Sequence, residues 1–172
     1  MPARGPLGEN LRRRLIGSRL EAPARRARRV ATWLATARHP ELRPVLLGES
    51  AAIDALLPAV VRDGTHCVDT GAHLGSVTAA LLRLSPRGRH LAVEPTPYKA
   101  AWLREKFPGV EVAACALGAD AARATFYYQV AASGYSGLRP ALAAAVPEAF
   151  EVEVRRLDDL VPAQRAIGFV KI

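Results

Sequence analysis

Val68-Asp69-Thr70-Gly71-Ala72-His73-Leu74-Gly75, followed by Leu91-Ala92-Val93-Glu94-Pro95, decides the fold. Each run is short and apolar and ends in an acid beside a turn residue, the pattern of a strand buried on both faces. Between them, Leu74 to Leu84 has helical spacing and Ser85 to Gly88 makes a turn. Strand, helix and parallel strand form a right-handed βαβ unit. Ligands of open parallel sheets bind at the carboxyl ends of the strands, so Asp69-Thr70-Gly71 and Glu94 frame the expected pocket mouth.

Outward from this unit the alternation continues. Strands are expected at His66–Thr70, His90–Val93 and Val110–Ala116, with a helix over Pro97–Phe107, where Pro97 suits the first turn. Beyond Gly118 the rhythm changes. Ala124–Val130 and Phe150–Arg156 read as strands around the loop Ser133–Leu138 (SGYSGL) and a helical piece, Pro140–Val146. Leu157–Leu160 (LDDL) starts a short helix, and Ile167–Ile172 is a further buried strand. On the amino-terminal side, Glu49 or Ser50 to Val61 is amphipathic, with Ser50 as N-cap and Asp63-Gly64 as stop. Ala24–Arg38 carries Val30, Trp33 and Leu34 on one face, read as a helix capping the domain with its arginines in water. Residues 1–22, rich in Gly, Pro and Arg, are expected to be loosely ordered. The fold class is therefore α/β, a Rossmann-like, doubly wound, mostly parallel sheet with N-terminal helices. The chain divides into a basic helical extension, 1–48, and a cofactor-binding domain, 49–172.

The chain has 172 residues, half of them hydrophobic, enough for one domain with a core. Its net charge of +8 comes almost wholly from arginine, concentrated at Arg12–Arg14 and Arg25–Arg29. No aromatic residues interleave with these runs, which disfavours nucleic acid as partner. Cys67 and Cys115 lie in apolar strands as small hydrophobes, with no CxxC pair and no His/Cys cluster, so no metal is expected. No apolar run approaches the roughly 20 residues of a membrane span, and the N-terminus lacks a secretory apolar core. A cytoplasmic protein is the expectation.

The pocket chemistry follows from the residue types. Gly71 lets the backbone turn tightly, and Gly75 lets the next helix pack close. Glu94, 25 positions after Asp69, is placed to accept both ribose hydroxyls of an adenosine. A dinucleotide fingerprint needs a middle glycine, but Ala72 and His73 occupy that stretch. S-adenosylmethionine, with a ribose, an amino acid end and no phosphate, fits better than NAD.

These residues, taken together, resemble the FkbM-type S-adenosylmethionine-dependent methyltransferases. The family pattern D-x-G-A-N-x-G, E-P-x-P, A-L-G, L-D-D-L and an apolar strand ending K-I is met in order. Here the motifs are Asp69 to Gly75, Glu94-Pro95-Thr96-Pro97, Ala116-Leu117-Gly118, Leu157 to Leu160 and Val170-Lys171-Ile172. The resemblance implies a class I methyltransferase fold and O-methylation of a hydroxyl on a small-molecule acceptor, a sugar or secondary metabolite. It implies Asp69, Gly71, Ala72, His73 and Gly75 at the amino acid end of the cofactor, Glu94 at the ribose and Leu117 at the adenine. His73 stands where the family has asparagine. The family's D-x-E-G after the final K-I is not in the sequence. That makes a domain incomplete at its C-terminus, with Ile167–Ile172 as an edge strand open to self-association. The alternative is a non-catalytic remnant that at most binds cofactor.

No catalytic base is assigned. His73 is read as pointing to solvent, Asp158 and Asp159 as caps, and Tyr135 and Ser136 as loop residues above the pocket.

Overall fold

The computed structural model describes residues 7–129, 136–140 and 148–172. In chain order the elements are α1 (Leu7–Leu15), α2 (Glu21–Ala35), a 3-10 turn (Pro40–Leu42), α3 (Arg43–Val60), β1 (His66–Thr70), α4 (Ser76–Leu84), β2 (His90–Val93) and α5 (Pro97–Lys106). There follow β3 (Glu111–Ala113), β4 (Ala116–Leu117), β5 (Ala122–Tyr128), β6 (Glu148–Arg155), α6 (Leu157–Leu160) and β7 (Ile167–Lys171).

The fold is a mixed α/β one with a mostly parallel sheet. Four parallel strands run in the order β3-β2-β1-β7, in register Val68 to Leu91 and Val68 to Val170. The chain builds outward from β1 to β3, then returns to the other side of β1 as β7. Strand order thus reverses between β1 and β7, the place where open sheets leave a crevice. Alternate residues of β1 face two cores. Cys67 packs with Leu57 of α3, Val61 just beyond it, and Ala80 and Leu81 of α4. Val68 packs with Leu91, Val93 and Cys115, covered by Leu157 and Leu160 of α6. Both cysteines are buried and free. A second sheet, β4-β6-β5, pairs β5 with β6 antiparallel and β4 with β6 parallel.

Five expectations need correction. Residues 7–15 form a helix, although residues 1–22 read as loosely ordered. Ile16 is buried against Leu74, Leu103 and Phe107, and Glu9 is buried too, so tertiary packing orders this stretch. α3 begins at Arg43 rather than near Ser50, with Pro44 in the first turn, where proline forfeits no intrahelical bond. The boundary drawn at 48/49 lies within this helix. The apolar stripe of α2 does not cap the core: Val30, Trp33 and Leu34 are 58, 51 and 60 % exposed. The other side of α2 meets α3 instead, through Arg25 and Asp54 at 2.7 Å. Val110–Ala116 is not one strand, because β3 pairs with β2 and β4 with β6. α4 begins at Ser76, two residues after the expected start, because the glycine turn extends to Gly75.

Among the described residues β7 pairs with β1 alone and stands at the sheet edge, as expected. All of the helical piece expected at Pro140–Val146 except Pro140, and the first half of the loop Ser133–Leu138, including Tyr135, lie outside the described residues. Among the described residues no helix is long and apolar enough to cross a membrane.

Candidate functional site

β1 delivers the chain into a turn with three left-handed residues: Gly71 (φ +65), His73 (φ +54) and Gly75 (φ +89). Histidine, like asparagine, is enriched among non-glycine residues in this region, so His73 takes the left-handed form at modest cost. At Gly75 a side chain is excluded twice over. The conformation is left-handed, and a Cβ would overlap the Phe107 ring and lie 2.9 Å from Leu103 Cδ2. The turn is sewn to β2, with Ala72 N–H donating to Val93 O at 3.0 Å. Ala72 is itself buried in the core, so it faces a ligand only through its backbone.

Two carboxylates stand behind the turn. Glu94, 4 % exposed, accepts from His73 N–H at 2.8 Å through Oε2 and from Thr96 N–H at 2.9 Å through Oε1. The acid expected to hold a ribose therefore also clamps the glycine turn to the start of α5. Asp69, 1 % exposed, accepts the Thr78 hydroxyl at 2.6 Å through Oδ2. Its Oδ1 is buried without a hydrogen bond, as is Thr70 Oγ1. Burial raises the Asp69 pKa, and Thr78 and the Lys171 ammonium work against that shift.

Sequence reasoning missed two lysines. Lys171, quoted as part of a motif and given no role, crosses from β7 to β1 at the strand-order reversal. Its Nζ donates to Thr70 O at 2.8 Å and stands 3.8 Å from Asp69 Oδ1. Lys99, in the first turn of α5, is 1 % exposed, with Nζ 4.9 Å from the Tyr128 ring centre. Burial lowers its pKa to about 8, with Glu94 and Glu9 opposing. Around it, Tyr98 and Tyr128 share a hydroxyl–hydroxyl bond of 2.8 Å, and Tyr98 donates to Glu9 of α1 at 3.2 Å. The signal was present: a lysine two positions after Pro97 lies in the first turn of the helix that follows the acid.

His73 is half-buried rather than solvent-directed, and it lines a cavity of about 330 Å³ between α1, α2, α3 and the start of α4. Burial, with Lys99, Arg12, Lys171 and Arg13 around it, lowers its pKa to about 3. A ring that weakly basic is a poor general base near neutrality.

Asp69, Gly71, His73, Gly75 and Glu94 thus converge at the ends of β1 and β2. Leu117 lies apart from the turn, half-buried against the Val68–Leu91–Val93–Cys115 core. Asp158 and Asp159 are exposed and make no cap; Asp158 pairs with Arg156 at 3.2 Å. Ser136 Oγ accepts from Gln129 N–H at 2.9 Å, which closes its loop. Among the described residues no group of three or more His, Cys, Asp or Glu is placed to hold a metal ion.

The family model described as Methyltransferase FkbM domain matches residues 69–172, from the acid of β1 through β7. No curated protein matches the chain.

Proposed function

The chain belongs to the FkbM methyltransferase family, and from that premise we propose that it transfers a methyl group from S-adenosylmethionine to a hydroxyl of a small-molecule acceptor, a sugar or a secondary metabolite. The frame is then a Rossmann-like, doubly wound sheet with its cofactor at the carboxyl ends of β1 and β2.

The observation that carries this reading is the pair of buried acceptors without donors at the end of β1. Asp69 Oδ1 and Thr70 Oγ1 sit beside the left-handed Gly71, whose missing side chain leaves the approach open. An ammonium, such as the one at the cofactor's amino acid end, supplies the donor that Asp69 Oδ1 lacks. Glu94 uses one acceptor direction of Oε2 on the turn and one of Oε1 on Thr96, and keeps others for the ribose diol. Leu117 is assigned to the adenine as an apolar contact.

When bound, S-adenosylmethionine supplies an electrophilic methyl on a sulfonium. The residues of this chain orient it: Lys171 fixes the carbonyl of Thr70, Glu94 fixes the N–H of His73, and Gly75 lets α4 approach. Such orientation is a main part of catalysis for an in-line displacement.

Calorimetry with S-adenosylmethionine and with NAD tests the reading. Micromolar binding of the former, none of the latter and loss of binding in Glu94→Ala are expected. Binding of NAD instead, or of neither, overturns it.

A further inference from the structure

The cavity of about 330 Å³ beside the glycine turn is large enough for a small metabolite, within the roughly 300–1,000 Å³ of ordinary ligand sites. Its floor is apolar, from Ile53, Leu57 and Val77, and its walls carry Arg12, Arg25, Arg28, Glu21 and Asp54. Their charges do not cancel. Arg25 is paired with Asp54 at 2.7 Å. Glu21 Oε2 already takes Gly17 N–H at 2.8 Å and the Arg83 guanidinium at 3.4 Å. Arg12 and Arg28 then remain, with no ion pair to any described carboxylate, and they repel each other. Partial desolvation of this exposed side chain, with the Arg12 charge, lowers the pKa of Arg28. His73, facing the same space, is neutral. A second observation concerns the wall opposite in sign: Glu21 is 5 % exposed, and its Oε1 is buried with no donor. The cavity therefore offers an anion two guanidiniums outside any ion pair, and offers a hydroxyl or amine the buried acceptor at Glu21.

We infer that this cavity binds the methyl acceptor, and that the acceptor is a hydroxylated anion held through a carboxylate or phosphate by Arg12 and Arg28. The inference rests on the methyl-transfer reading for its role, since His73, Leu74 and Ser76 are shared between the cavity wall and the cofactor turn. It assigns a recognition task to the N-terminal helices, which lie outside the matched family region. Guanidinium suits either anion because its planar fork donates two parallel hydrogen bonds.

The test is calorimetry on the full chain, with and without S-adenosylmethionine, using three hexose probes that differ mainly in charge: glucuronate, glucose 6-phosphate and glucose. At least one anionic sugar is expected to bind ten-fold or more tightly than glucose, and the better of the two identifies the anion. The double variant Arg12→Gln/Arg28→Gln loses ten-fold or more of that affinity, and Arg12→Lys/Arg28→Lys recovers part of it. Both arginines are exposed and outside any ion pair, so a melting curve matching wild type is the folding control. Equal binding of glucose, no binding of either anionic sugar, or an unaffected double variant overturns the inference. So does a parallel loss of S-adenosylmethionine affinity in the double variant, which gives the arginines to the cofactor. Wild-type protein that binds an anionic sugar but no S-adenosylmethionine refutes the cofactor reading and leaves the anion site standing. The converse result refutes this inference alone.

Discussion

Glu94→Gln separates the two tasks assigned to one carboxylate. The side chain is almost fully buried and accepts two backbone N–H groups, His73 at 2.8 Å and Thr96 at 2.9 Å. Glutamine keeps one carbonyl oxygen and turns an amide N–H₂ toward the other donor. One charge-assisted bond, worth about 1.5–3 kcal/mol, is lost, and a buried N–H is left facing another donor. The two effects overlap, so the expected cost is about 3 kcal/mol, a large share of the roughly 5–15 kcal/mol that stabilises a domain. In urea, at a slope of about 2 kcal/mol/M, the midpoint falls by about 1.5 M with the slope unchanged. Repeating the titration with S-adenosylmethionine reads the second task. Wild type gains about 2.7 kcal/mol at a hundredfold excess over its dissociation constant, and the variant gains less. An unchanged midpoint without ligand refutes the clamp. An equal ligand-induced gain in both proteins refutes the ribose contact.

Gly75→Ala combines a left-handed backbone, about 1–2 kcal/mol for a residue with a Cβ, with overpacking against Phe107 at about 1–3 kcal/mol. A loss of about 2–5 kcal/mol in urea unfolding is expected, and wild-type stability overturns the packing described. Lys99 gives a pH signature: its folded pKa of about 8 lies below the ordinary 10.5, so between these values the unfolded chain holds a proton that the folded chain has released. Its contribution to stability therefore rises with pH across that window. The urea-midpoint difference, wild type minus Lys99→Met, should increase from pH 8 to pH 10, and a flat difference refutes the lowered pKa that burial gives Lys99.

The central sheet was readable because its strands are buried on both faces and declare themselves as apolar runs closed by an acid. Asp69, Gly71, His73, Gly75 and Glu94 were readable for the same reason, since strand ends and glycines mark where a backbone must turn. What stayed hidden depends on distant partners. Nothing local distinguishes Leu7–Leu15 from a loose arginine-rich leader; Ile16 and Glu9 gain their order from Phe107 and Tyr98. Periodicity gave α2 an apolar face at Val30, Trp33 and Leu34 but not its direction, which the Arg25–Asp54 contact opposes. Val110–Ala116 reads as continuous because the sequence carries no sign that Ala113 and Ala116 belong to different sheets. His73 was taken for a solvated turn residue because α1 and α2, which enclose it, have no local signature of lying there.

The bond from Lys171 to the carbonyl of Thr70 joins residues about a hundred positions apart. During synthesis β1 and β2 leave the ribosome as neighbours, whereas the ammonium that steadies their turn arrives only after the second sheet has been made. Non-local pairings of this kind are closed late, after the entropy of a long loop has been surrendered. Until Lys171 is made, the turn is held by its bonds to Val93 and Glu94 and lacks the contact from the far edge of the sheet.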